Sequence, residues 1–189
     1  LGAPFQEGLC CFGFSHETYP EEIYLFHALE VVQSMLERRP GGETGVKSVV
    51  GLQGDAVWKA GDEGRWSWKL LEAAVNRCPT RNFGSIRDNV KNPTAILIEY
   101  RDGTKGCVIN LYEHVADHGF AATVKDQPDP VSSCFFLPGP PGANFFDPLC
   151  WNIERLFLEG RSPIPVERTQ LTSTVLDWAL RSIEQKSRV

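Results

Sequence analysis

Three polar residues, His27, Glu30 and Ser34, follow one another at spacings of three and four inside an otherwise apolar stretch. On a helix that spacing puts them on one face. An imidazole beside a carboxylate has two uses. Glu30 orients His27 where the core meets water, or the stripe lines a ligand cleft and His27 works as general acid or base, its ordinary pKa near roughly 6.5 being suited to neutral pH. Asn110, Tyr112 and His114 form a second set, expected at alternate positions of a strand and so on one mixed face as substrate contacts. Glu113, His114, Asp117 and His118 make the densest group of possible metal ligands. Their flanks, CVINLY and FAATV, are strand-like, so chain reversal aims neighbouring side chains apart, and a solvated or interface turn is expected there with no metal.

Other chemistries lack their motifs. No GxGxxG follows a strand: Gly41-Gly42-Glu43-Thr44-Gly45 follows a helix and precedes a strand, the reverse of what phosphate binding needs, and reads as a helix cap and turn. No P-loop, GxSxG elbow, HExxH or paired catalytic carboxylate is present. The 6 cysteines include the adjacent Cys10 and Cys11, with Cys78, Cys107, Cys134 and Cys150 scattered through apolar contexts, so reduced core thiols in a cytoplasmic protein are expected.

These side chains must be positioned by a chain of 189 residues, 42% hydrophobic and 23% charged, with a formal net charge of -5. The charge and the lack of any Lys/Arg run argue against nucleic acid as a partner. No run approaches the roughly eighteen apolar residues of a membrane span. The first residues lack a secretory pattern, and a start at Leu1 in place of Met suggests a processed or truncated chain.

The organising element is a helix from Glu22 to Arg39, with Ile23, Phe26, Leu29, Val32, Met35 and Leu36 at helical spacing, Glu21 and Glu22 at its start, Arg38 and Arg39 in its last turn, and Pro40-Gly41-Gly42 as the stop. Residues 1–20 read as a lead-in segment lying over something larger. After the helix come a strand from Gly45 that ends near Gly54, a polar turn over Ala60 to Gly64, and a shorter helix over Trp66 to Arg77. Strands are expected at Thr94 to Tyr100, Gly106 to His114, Gly119 to Lys125 and Ser132 to Leu137, the first two joined through Asp102-Gly103. Pro138 to Ala143 reads as a stiff turn. Helices through Cys150 to Leu158 and from Thr169 to Ile183 close residues 21–185, a single α+β domain, and 186–189 form a frayed tail. Short turns between strands predict a mostly antiparallel open sheet with helices packed on one face.

The order of elements, together with FHALEVVQSMLERRPGGETGVKSVVGLQGDAVW and SPIPVERTQLTSTVLDWAL, resembles the C-terminal domain of the glucose-fructose oxidoreductase and inositol dehydrogenase (Gfo/Idh/MocA) family, from about Tyr24 to Ile183. The resemblance implies a dihydrodipicolinate-reductase-like α+β fold, a substrate-binding and oligomerisation role in an NAD(P)-dependent oxidoreductase, and a homo-oligomer formed through the open sheet face. It matches His27 and Glu30 to the family's His and the acid three residues on, with His27 assisting proton transfer. Ile23 stands where the sugar dehydrogenases of the family often have Asp. The dinucleotide-binding domain and its lysine are missing, so NAD(P) has no family-type site within this chain and would need a further domain or chain. The alternative is a non-catalytic binding or assembly subunit.

Overall fold

The computed structural model describes residues 2–15, 20–137 and 144–185. In chain order the elements are β1 (Phe5–Phe12), α1 (Glu21–Leu36), β2 (Val46–Gln53), α2 (Asp55–Asp62), α3 (Trp68–Val75), α4 (Ile86–Asn89), β3 (Thr94–Tyr100), β4 (Lys105–Asn110), β5 (His118–Val124), β6 (Val131–Phe135), α5 (Asp147–Glu159) and α6 (Val166–Glu184). The turn expected at 138–143 and the tail at 186–189 lie outside the described residues.

One sheet carries the architecture, in the order β2-β3-β4-β1-β5-β6. All neighbours pair antiparallel except β1 with β4, so the fold is α+β with a mostly antiparallel sheet. The expected lead-in segment is corrected here: Phe5–Phe12 is an inner strand between β4 and β5. It interrupts the expected meander, and Leu9 through Phe12 are fully buried.

Helices cover both faces, not one. Leu9 and Cys11 of β1 point into a core built with α2 and α3, through Val57, Trp58, Leu70, Leu71 and Ala74. Cys10 and Phe12 point the other way, against Leu25, Leu29 and Val32 of α1 and Val175 and Ala179 of α6. A strand buried on both faces shows no alternation, which is why the sequence pattern hides it. The sheet stays partly open on the α2/α3 side, where Ser48, Val50, Leu97 and Glu99 are half-buried and Lys105 is exposed, and at the outer strand β6, where Val131 and Ser133 are exposed.

Local chemistry sets the element ends. α1 stops at Leu36, before Arg38 and Arg39; Arg39 folds back, donating to the Leu36 carbonyl at 2.7 Å and to Asp102 at 2.7 Å. It also lies over the Tyr100 ring, so a buried guanidinium joins α1 to the β3–β4 hairpin. The residues read as a polar turn over Ala60 to Gly64 include the end of α2, a helix the sequence reading lacked. A Cβ on Gly61 would meet the Trp66 ring at 2.4 Å, so this glycine marks a close packing contact within a helix.

The closest approach between layers is at Gly51 of β2. A Cβ there would sit 2.2 Å from the Ala179 carbonyl oxygen of α6. Ser182 of α6 accepts from the Gly51 N–H at 3.0 Å, satisfying a backbone group on an edge strand. Gly51→Ala is accordingly expected to lower unfolding free energy by about 1–3 kcal/mol, the usual cost of overpacking. Urea denaturation reads this as a lower midpoint with an unchanged slope, and an unchanged midpoint would mean that α6 does not rest on β2 in this way.

Candidate functional site

His27 lies on the exposed face of α1, its ring edge-on to Tyr24 at 6.0 Å and to Phe26 at 6.1 Å. Tyr24 stacks on Phe14, just past the end of β1. At the start of β5, His118 stacks on Phe12 with ring centres 5.8 Å apart. The His118 Nε2 is buried with no hydrogen-bond partner among the described residues. Burial, and then the nearby His27 charge, hold the His118 pKa below its ordinary value, while Asp117 pulls the other way. The two imidazoles thus lie close enough to interact electrostatically, His118 on the buried Phe12 and His27 beside Tyr24 and Phe26. In the sequence His118 stands out only as a possible metal ligand, because nothing in spacing links it to His27. Only the sheet order brings the start of β5 under α1.

Glu30 does not orient His27. One of its oxygens accepts from Arg168 of α6 at 2.5 Å and the other from Thr172 at 2.6 Å. Arg168 also bonds Glu37 at 2.8 Å. The carboxylate expected to tune the imidazole instead fastens α6 to α1. Ser34 is likewise turned inward to the Val31 carbonyl at 2.9 Å, so the polar stripe divides into one exposed imidazole and two structural groups.

The set Asn110, Tyr112 and His114 does not share a strand face. β4 ends at Asn110, and Glu113 adopts φ 74, a left-handed conformation that reverses the chain. Asn110 is buried with its hydrogen-bonding groups engaged: the amide nitrogen donates to the Phe14 carbonyl and to Glu21, and Oδ1 accepts from the Phe14 and Tyr112 N–H groups. Tyr112 is exposed beyond it. His114 is carried to the α3 side, between Leu111 and Val115 of that core, where Asn89 bonds its Nδ1 at 2.9 Å. It lines a cavity of about 330 Å³ with Glu72, Asn76, Arg81 and Asn82. Burial, and then Arg81, lower its pKa. His27 and His114 therefore belong to opposite faces of the sheet.

The fit of a dinucleotide can be tested at the one helix start that follows a parallel-paired strand. Glu21 and Glu22 occupy the first turn of α1, and the Glu21 carboxylate is bonded to Thr94 at 3.1 Å and Asn110 at 2.8 Å. A pyrophosphate would meet a carboxylate already in its place, so these residues do not suit NAD(P). Among the described residues no group of three or more His, Cys, Asp or Glu side chains is arranged to hold a metal ion. No described helix is long and apolar enough to cross a membrane.

No protein-family model matches the chain. No curated protein matches it either. Among solved structures it is similar to UDP-N-acetylglucosamine 3-dehydrogenase GnnA from Acidithiobacillus ferrooxidans, at 12% identity and a TM-score of 0.39, over 96% of this chain and 54% of that one. The chain thus spans about half the length of that structure.

Proposed function

We propose that this chain is the substrate-side part of an NAD(P)-dependent oxidoreductase of Gfo/Idh/MocA type, with His27 as its acid/base group. The observation that supports this most is the exposed His27 imidazole beside His118, whose buried Nε2 lacks a protein partner. Burial disfavours the charged form of His118, and the exposed His27 imidazole is open to a hydroxyl or carbonyl oxygen of a substrate. Tyr24 and Phe26 beside it offer aromatic faces for a ring-shaped substrate. The dinucleotide would be held by a further domain or chain, because the start of α1 is occupied by Glu21. Asn110 supports the site by fixing the end of β1 to α1, and Tyr112 and His114 act away from His27.

One observation favours assembly as a second reading. α5 buries none of its residues, and Leu149, Trp151, Ile153, Leu156, Phe157 and Leu158 are exposed along it. Large side chains offer about 150–250 Å² each when aromatic, so this arm with its flanking Phe145, Phe146, Ile164 and Val166 exposes on the order of 1,000 Å² of apolar surface. That exceeds the few hundred Å² usual on a monomer and matches one side of a standard interface of roughly 800 Å² per partner. A second copy of this chain is the occupant proposed for it, so the oligomer forms through α5 in addition to the open part of the sheet.

Three measurements test these readings. With the protein at its natural length, nicotinamide-dependent turnover assayed over sugars and polyols is expected to fall about 100-fold or more in His27→Ala, with no change in thermal midpoint. Unchanged turnover would remove His27 from the chemistry. Acidification gives the second. His118 and His114 have folded pKa values below the ordinary 6.5, so the fold favours their neutral forms, and that stability is present above about 6.5 and lost as pH falls below it and through their lower folded values. The thermal midpoint should drop as the pH falls below about 6.5, and His118→Asn should flatten the drop. An equal drop in the variant would show that His118 takes up no proton there. Third, Phe157→Glu with Leu158→Glu should convert an oligomer to a monomer in sedimentation velocity, and an unaltered sedimentation coefficient would exclude α5 from the interface.

A further inference from the structure

The strand register lines up Cys11 of β1, Gly119 of β5 and Cys134 of β6 across three adjacent strands. Paired residues project to the same face, here the one under α3. Gly119 leaves the middle position without a side chain, and Cys78, just beyond the end of α3, fills it. A Cβ at 119 would lie 2.8 Å from the Cys78 Sγ and 2.5 Å from the Ala74 carbonyl oxygen. The Cys78 Sγ, which donates to the Ala74 carbonyl at 3.6 Å, therefore sits in the gap between Cys11 on one side and Cys134 on the other.

The geometry points to an oxidation site in which Cys78 and Cys134 form a disulfide between the end of α3 and the edge strand β6. Paired Cα atoms on neighbouring strands are about 4.5–5.5 Å apart, so Cys11 and Cys134, two strands apart, lie about 10 Å from each other. Disulfides need Cα atoms closer than about 7 Å, so these two cannot join, and Cys78 is the partner open to each. Access decides between them: Cys11 is fully buried on an inner strand, whereas Cys134 is partly exposed on the outer one and Cys78, 6% exposed, lies just beneath it.

The roles of the two sulfurs follow from their surroundings. The hydrogen bond from Cys11 and the charge of Arg81 favour the Cys78 thiolate against burial and Asp117, and the net effect is a lowered pKa. The Cys134 thiol is pushed up, by burial first. The thiolate is the attacking species, so Cys78 reacts first. With a peroxide as oxidant, the Cys78 sulfur attacks one peroxide oxygen, the O–O bond breaks, and the other oxygen leaves as hydroxide or alkoxide and is protonated. Cys78 is now a sulfenic acid. The Cys134 sulfur attacks it, the S–O bond breaks, and the hydroxyl leaves with the thiol proton as water. Two thiols are oxidised and one peroxide is reduced.

The test is exposure of the purified protein to a small excess of hydrogen peroxide, followed by alkylation, non-reducing digestion and mass spectrometry. The expected result is a peptide pair joined through Cys78 and Cys134, reversed by dithiothreitol. Thermal unfolding of the oxidised form should shift upward by several degrees, because β6 is tied to α3. Cys78→Ser and Cys134→Ser should each abolish the crosslink, while Cys150→Ser leaves it intact. Cys11→Ala, which removes the donor beside Cys78, should slow its formation several-fold with its connectivity unchanged. A Cys11–Cys78 bridge, or no crosslink under conditions that fully oxidise the exposed Cys150, would overturn the proposal.

Discussion

The structure depends on one constraint: β1 sits inside the sheet with both of its faces covered. Leu9 to Phe12 have no solvent on either side, so each residue must match a different layer. β1 runs parallel to β4 and antiparallel to β5, and through the β2–β3–β4 pairings it also runs parallel to β2. α1 is thus the crossover between two parallel strands, and its course over β1 and β4 is set by the need to return to the far edge of the sheet. The end of β1 delivers Phe12 and Phe14 to the start of α1, where both imidazoles lie.

Small residues make this layering possible at two points. Gly51 allows α6 to rest on β2, and Gly119 allows the end of α3 to rest on β5. At both, the space that a Cβ would fill is taken by helix backbone together with a neighbouring side chain, Ile183 at the first and Cys78 at the second. Gly119 therefore does two things at once. It brings the helix down on the sheet, and it places a thiol between two others.

How far the sequence could be read follows the same physics. α1 and α6 were legible because each has one wet face and hence a period to detect, and the β3–β4 hairpin because Asp102-Gly103 marks its turn between two β-branched runs. β1 was not, because FQEGLCCF is buried on both sides and carries no alternation. α2 was obscured by Gly61, whose place is explained by Trp66 and not by a turn. His27 was found as one member of a polar stripe, but its neighbour His118 comes from a distant strand. Tyr112 and His114 were placed on a strand face because the pattern ran past Asn110, and the reversal at Glu113 has no glycine to announce it.

Residue type alone could not separate fasteners from chemistry. Glu30, Arg39, Glu21 and Asn110 all carry groups that catalysts use, and each is engaged by hydrogen bonds that close α1 against its neighbours. A side chain whose donors and acceptors are already met would have to break those bonds to serve a substrate, leaving buried polar groups unmet at about 1–3 kcal/mol each. His118 differs, because its buried Nε2 has no such bond to lose. Saturation of the hydrogen-bonding groups, more than their identity, thus decides which polar residues of α1 and its surroundings hold the fold and which can take part in a reaction. By that criterion the candidate centre is the His27–His118 pair, and the Glu30 carboxylate belongs to the architecture.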